Sequence, residues 1–335
     1  MSKISYMIKR MRYMHYDKML ETAKEIHQKT GKSTLSILAD MFNCAVKYNA
    51  GYMDYKIAQM YKLTPAQRET TITRGISNQI VAMNNPKEFW HFFDNKAEFN
   101  TLFAEHIKRG WFDMTQGTKE DFDLWLKDKQ DIIVKPIDGS SGRGIKKYKR
   151  ADYEKDENFY NTLKDSGTGI VEEVVIQHSE INKINASSVN TIRIVTLNGS
   201  KKYGIVYAYI RIGQNGTDMD NVDCGGMACP INLETGEISN NGADKKGNVY
   251  EKHPESGVKF IGFKIPYFEE AKKMCMEAST KVPEMKYIAW DVAKTEDGPV
   301  FIEGNSFPSH AIPQFAAHFP DGIGIVPRYR EFIDI

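Results

Sequence analysis

At 335 residues, 41% hydrophobic and 27% charged, the chain is long enough for two or three modest domains with real cores. Its 45 basic and 44 acidic residues nearly cancel and no long Lys/Arg block stands out, which excludes a protein held on nucleic acid by phosphate neutralisation and points to small-molecule partners. Cys44, Cys224, Cys229 and Cys275 lack CxxC spacing, no stretch approaches the roughly 18 apolar residues of a membrane span, and the N-terminus has no signal-peptide h-region, so the expectation is a cytoplasmic protein with reduced, mostly buried thiols.

From Met1 to about Asn95 the apolar spacing is helical, through Ile4, Met7, Ile8, Met11 and Met14 and then Leu35, Leu38, Met41, Phe42, Ala45 and Val46. The first segment also carries Lys3, Lys9, Arg10, Arg12 and Lys18 and could rest on an anionic membrane surface, although a helix packing its Met/Ile stripe on a neighbour is the preferred reading. Asn85-Pro86 reads as an N-cap and first helical position, opening a short aromatic helix through Phe89, Trp90, Phe92 and Phe93. Asp94-Asn95-Lys96 precedes Phe99, Leu102 and Phe103, which places Lys96 at a helix start where its ammonium could reach a bound anion.

Thr118 to Asp121 has capping-box spacing and heads a helix leading into the β-branched run Ile132, Ile133 and Val134, a buried strand that ends at Lys135-Pro136. Gly139, Ser140, Ser141, Gly142 and Gly144 follow, so bare amides and hydroxyls form a phosphate cradle with a lysine at its root. The spacing is neither a P-loop nor GxGxxG, and a Gly/Ser hairpin that binds nothing is the plain alternative. Residues 151–164 read as helix and 169–175 as strand. Glu172, Glu173 and Val174 then run into a linker with Gln177, His178 and Glu180, an extended hinge that can offer one N–H and one C=O to an adenine edge.

Residues 191–197 and 203–212 form a hairpin around Asn198-Gly199-Ser200, carrying Arg193 and Arg211. A glycine- and aspartate-rich loop follows over 213–226, long enough to be functional. A helix from Pro266 to about Lys281 precedes two strands, 287–293 and 299–303, joined by Glu296-Asp297-Gly298. Asp291, Glu303 and Asn305 make D-x11-E-x-N: two carboxylates and an amide oxygen on facing strands, hard ligands suited to Mg²⁺ beside substrate phosphates. An acid inside the apolar run Ile288-Ala289-Trp290-Asp291-Val292 needs a partner or a metal.

In this order the chain resembles the ATP-grasp superfamily: Lys96, the lysine strand to Lys135, the loop to Gly144, the hinge from Glu172 to Glu180, Arg193, and Asp291, Glu303 and Asn305. SVNTIRIVT at 188–196 and GPVFIEGN at 298–305 look like its sugar-transfer-associated group. Asn221-x3-Gly225-Gly226 after Arg211 resembles ribosomal-protein glutamate ligases, while Pro308-Ser309-His310 departs from the common N-x-x-P-G ending.

The resemblance implies an α+β fold: a helical region over 1–95, one ATP-grasp lobe with the glycine loop over 96–175, and a second with the Mg²⁺ site over 176–335. It implies ATP and Mg²⁺ as cofactors and a carboxylate–amine ligase acting through an acyl phosphate. Lys96, Lys135, Ser140, Ser141, Gly142 and Gly144 would meet phosphates, and Gly142 and Gly144 would let the loop close. Glu172, Glu173 and Val174 would hold adenine, Glu180 the ribose, and Asn221 would lie at the nucleotide. Asp291, Glu303 and Asn305 would bind metal, and Arg193 and Arg211 would hold the acid or its developing charge. Group resemblance suggests a sugar acid or glycan precursor joined to an amino acid in cell-surface polysaccharide synthesis; a small-molecule or sugar kinase, a ligase making a small peptide and a module without turnover stay open.

Overall fold

The computed structural model describes residues 15–139 and 144–335. They form two compact units, one made of the residues up to Met83 with Ser309–Ile335, the other of Asn84–Pro308. The basic segment through Met14, and Ser140, Ser141 and Gly142 of the glycine loop, lie outside the described residues.

The first unit is helical. Helix Tyr16–Thr30 stops at Gly31, whose left-handed backbone (φ 72°) returns its N–H to the His27 carbonyl. Helix Thr34–Tyr48 starts where the Ser33 side chain accepts from the Ser36 N–H. Its buried stripe is Ile37, Met41, Cys44 and Tyr48, not the expected one through Leu35 and Phe42, which are 80% and 61% exposed. The helix is apolar on more than one face, and the 37/41/44/48 face is the one that packs with Ala23, Ile26, Tyr55 and Met60.

Buried and half-buried polar groups tie this unit together. Asp40 accepts from Arg68 Nη1 and Nη2 at 2.8 and 2.7 Å and from the Tyr55 hydroxyl at 2.7 Å. Asp54 accepts from the N–H groups of Gly51 and Arg74 and faces His310 Nε2 at 2.8 Å. Gln314 clamps both the N–H and C=O of Ile72. The chain after Pro308 therefore packs with the helices, and Ser309-His310 delivers the imidazole that Asp54 holds.

The second unit is α+β, with two antiparallel sheets. The smaller contains β1 (Trp111–Asp113), β2 (Ile132–Lys135), β3 (Lys146–Tyr148) and β4 (Ile170–Glu173) in the order β1-β4-β2-β3. The larger contains β5 (Ile192–Asn198), β6 (Tyr203–Ile212), β7 (Met227–Pro230), β8 (Gly242–Ala243), β9 (Val249–Tyr250), β10 (Tyr287–Thr295) and β11 (Gly298–Asn305), ordered β11-β10-β5-β6-β7-β8-β9. Short strands β7 to β9 carry too few residues to show a period in the sequence. The expected helix over 151–164 is two pieces, Arg150–Tyr153 and Phe159–Asp165.

Alternation splits the larger sheet into two faces. Ile192, Ile194, Ala208, Ile210, Ile288, Trp290 and Val292 join a core with Phe268, Ala271, Met274, Cys275 and Ala278 of helix Phe268–Ala278. Phe93, Phe99 and Phe103 close that core against Trp290 and Phe301, with Trp290 and Phe301 stacked at 4.8 Å. Gly304 permits the approach, since a Cβ there would lie 2.7 Å from both Phe93 and Phe99. Asn85 does not cap a helix with its side chain; it donates to the carbonyls of Tyr287 and Ser306 at 2.6 Å and accepts from the Tyr287 N–H, pinning β10 to the end of β11. The opposite face is charged. Among the described residues no helix is long and apolar enough to cross a membrane, and the four cysteines are free, only Cys224 being exposed.

Candidate functional site

Register builds the charged face. Tyr209 on β6 pairs with Arg193 on β5, Arg193 with Asp291 on β10, and Asp291 with Glu303 on β11, so one row across four strands reads Tyr-Arg-Asp-Glu. Arg193 donates Nε and Nη2 to the two Asp291 oxygens at 2.6 Å each. Arg211, two residues beyond Tyr209 and so on the same face, adds Nη2 at 2.9 Å to Asp291 Oδ2.

The two carboxylates of the row differ in charge balance. Burial would raise Asp291, but Arg193 and Arg211 overcome it and bring the carboxyl down to about 2. Glu303 forms no ion pair among the described residues, and burial together with the adjacent Asp291 charge pushes it above its ordinary value. Asp291 is thus already neutralised by protein cations, whereas Glu303 is the carboxylate that gains most from an added one. Asn305 lies two residues on along the strand, its Nδ2 reaching back to the Ala289 carbonyl at 3.4 Å.

This donor chemistry fits Mg²⁺, which takes one or two carboxylates beside substrate phosphates and needs no complete protein cage. No group of three His, Cys, Asp or Glu side chains is set for a metal among the described residues.

The smaller sheet supplies the second half. Lys135, at the end of β2, donates Nζ to Glu172 Oε2 on β4 at 2.6 Å. Arg109 donates Nε and Nη2 to the same carboxylate, and Asn100 Nδ2 reaches Oε1 at 2.7 Å. Glu172 is 2% exposed; burial alone would raise its carboxyl, but Arg109 and Lys135 hold it far below its usual range. In this structure its side chain fixes Lys135. Arg109 also donates to the β11 carbonyls of Phe301 and Ile302, joining the lysine cluster to the strand that carries Glu303.

Lys96 sits at a helix start as expected: Asn95 caps helix Lys96–Leu102 by accepting from the N–H groups of Ala97 and Glu98. Its backbone N–H binds the Ile137 carbonyl, and its Nζ reaches the Gly139 carbonyl at 3.2 Å. Burial pulls this ammonium below its ordinary value, with Glu303 opposing and Lys135 adding to the shift. Gly144 closes the described part of the loop at φ 74°, a left-handed backbone suited to glycine.

The structure thus gathers Lys96, Lys135, Glu172, Arg193, Arg211, Asp291 and Glu303 into one electrostatic cluster. Other expected residues make local contacts. Glu173 accepts from the Gly110 N–H and pairs with Lys129. The Val174 N–H binds the Asp131 carbonyl, and Glu180 pairs with Lys183 at the surface. Asn221 accepts from the Asp223 N–H and turns the loop after Arg211.

Sequence reasoning missed Arg109, Asn100, Thr191, Tyr209 and Asp220. Thr191 Oγ1 accepts from Arg211 Nε and Nη2 and donates to Asp220 Oδ2, so the loop acid holds Arg211 through a hydroxyl. Asp220 in a glycine-rich loop after an arginine strand was a readable signal; Arg109 and Asn100 had none.

Ahead of β5, Gln177 and Asn190 interlock, Gln177 Oε1 accepting from the Asn190 N–H and its Nε2 reaching the carbonyls of Asn185 and Ser188. This buried amide knot lies just ahead of the strand that carries Arg193.

A profile of the sugar-transfer associated ATP-grasp family matches residues 76–331. The chain belongs to that family. The match spans the lysine strand, the hinge and the Asp291 to Asn305 hairpin, in the order in which the sequence resemblance runs. Solved structures similar to this ATP-grasp chain include the D-cycloserine synthetase DcsG, at 12% identity and TM-score 0.42 over 77% of each chain. The ATP-grasp ligase PsnB, complexed with a minimal precursor, is similar at 12% identity and TM-score 0.41 over 73% of this chain and 63% of its own. D-alanine–D-alanine ligase from Bacillus anthracis is similar at 13% identity and TM-score 0.38 over 79% and 67%. No curated protein sequence matches this chain. The family assignment rests on the profile match and not on these likenesses.

Proposed function

We propose that this ATP-grasp chain is an ATP-dependent carboxylate–amine ligase working through an acyl phosphate, with a sugar acid or glycan precursor as the acid and an amino acid or other amine as the acceptor. We place it in the cytoplasm, in cell-surface polysaccharide synthesis. The observation that carries the reading is the register row together with Arg211 on the same face, which sets two guanidinium groups beside two carboxylates, one of them without an ion pair among the described residues.

Lys135, held by Glu172, and Lys96, at the glycine loop, are fixed cations for the nucleotide phosphates. Mg²⁺, when bound, would be held by Glu303 and Asn305 and would neutralise phosphate charge. Arg193 and Arg211 orient the acid, since a guanidinium fork matches a carboxylate. One oxygen of the acid attacks the γ-phosphorus, the bond to the ADP oxygen breaks, and an acyl phosphate forms. The amine nitrogen then attacks the acyl carbon, phosphate leaves with that oxygen, and the nitrogen gives up a proton. Cations fixed before the reaction stabilise the charge that develops at each step.

The test is a matrix of sugar acids and amines with ATP and Mg²⁺, reading ADP and phosphate separately. ADP and phosphate released together, and only with both acid and amine, support the ligase. ADP formed with one substrate and a stable phosphorylated product would replace it with a kinase.

A further inference from the structure

Tyr209 is a member of the charged row that the proposed reaction does not use. The residue is 2% exposed, and its enclosed hydroxyl finds no acceptor for its proton among the described residues, facing the Arg193 guanidinium instead. A buried phenol normally finds a partner, so this one has a reason to be searched for.

Its surroundings define what is missing. Arg193 lies directly across the register and Arg211 two residues along the same face. Burial raises the phenol above its ordinary value, so it keeps its proton and is a donor. Guanidinium groups donate only and cannot accept that proton. Asp291, the nearest acid of the row, already receives three N–H donors from the two arginines. Each arginine spends Nε and Nη2 on Asp291 or Thr191, and neither uses Nη1 in those bonds. Tyr207, whose ring lies 6.2 Å away and within 13° of parallel, braces the Tyr209 ring.

An unmatched O–H donor beside two cations calls for an acceptor, and the cations select an anionic one. We infer that Tyr209 is a substrate-binding residue that donates its phenolic hydrogen to an anionic oxygen of the acid brought to Arg193 and Arg211. That this oxygen belongs to a carboxylate rests on the ligase reading; that an oxyanion binds there does not.

The experiment titrates inorganic phosphate and, separately, D-glucuronate into wild-type protein and Tyr209→Phe, by calorimetry and without nucleotide. A hydrogen bond to an anion corresponds to about tenfold or more in affinity. Wild type should bind at least one of the two, and the variant should bind it about tenfold more weakly. Stronger retention of D-glucuronate than phosphate identifies the carboxylate arm. The ligand-free variant should unfold at the same temperature as wild type or higher, because the phenolic proton has no acceptor to lose. Equal affinities, no binding of either anion to wild type, or a lowered midpoint for the ligand-free variant would each overturn the inference. Failure of the ligase reading is separate: it appears as wild type that binds the anion but releases no ADP with any acid and amine.

Discussion

Glu172→Gln tests whether this carboxylate builds the lysine cluster or waits for adenine. The substitution keeps the shape but removes the anion that Arg109, Lys135 and Asn100 surround, and turns one acceptor into an NH₂ facing donors. Breaking a buried ion pair from one side costs about 3–5 kcal/mol. For a unit of this size each kcal/mol shifts the midpoint by about 2–4 °C, so the ligand-free variant should unfold roughly 6–20 °C lower. The pH dependence has a definite sign. The folded carboxyl is depressed, so its stabilisation is present above the unfolded value of 4.5 and lost only as pH falls through the folded one. The gap between wild type and variant should therefore be flat from about pH 5 to about pH 8 and close in stronger acid. Differential scanning fluorimetry and urea titration read both. A loss below about 1 kcal/mol, the scale of a surface ion pair, would refute the clamp.

Lys135→Ala should weaken ATP binding and cut turnover by about 10²-fold, the scale for one preorganised charge-stabilising donor; unchanged ATP affinity by calorimetry counts against the cradle. Glu303→Gln should abolish Mg²⁺-dependent turnover while leaving ligand-free stability equal or higher at neutral pH, because burial and Asp291 raise the folded carboxyl; the gain should shrink as pH falls through the raised folded value and be gone by the ordinary value of 4.5. Lys294→Met should stabilise the protein. Burial drops that ammonium from 10.5 to about 7, so at about 1.4 kcal/mol per pH unit the protonated form costs on the order of 4–5 kcal/mol, against about 1 kcal/mol for its bond to the Tyr267 carbonyl. This benefit should be full below pH 7 and vanish towards 10.5, checked by urea titration across that range.

Much of the site was legible because strand alternation and β-branched runs are local signals. Strands around Lys135, Arg193, Asp291 and Glu303 stand where the residues place them, and the resemblance names the family that the profile match identifies. What was not legible is who neutralises whom. Asp291 reads as a metal ligand in D-x11-E-x-N, yet the register gives it Arg193 and Arg211 first. Glu172 reads as part of a hinge, but Arg109 and Asn100, far apart in the sequence from it, enclose it. The packing of the chain after Pro308 with the helices was hidden for the same reason: Asp54 and His310 meet only in the fold.

In the proposed reaction a carboxylate oxygen leaves on phosphate. The direct measurement supplies ¹⁸O-carboxylate acid with ATP, Mg²⁺ and amine and weighs the released phosphate. The ligase should give one labelled oxygen in each phosphate, ADP as the nucleotide product, and label release that depends on the amine. Unlabelled phosphate, or a stable phosphoester formed without amine, would contradict it.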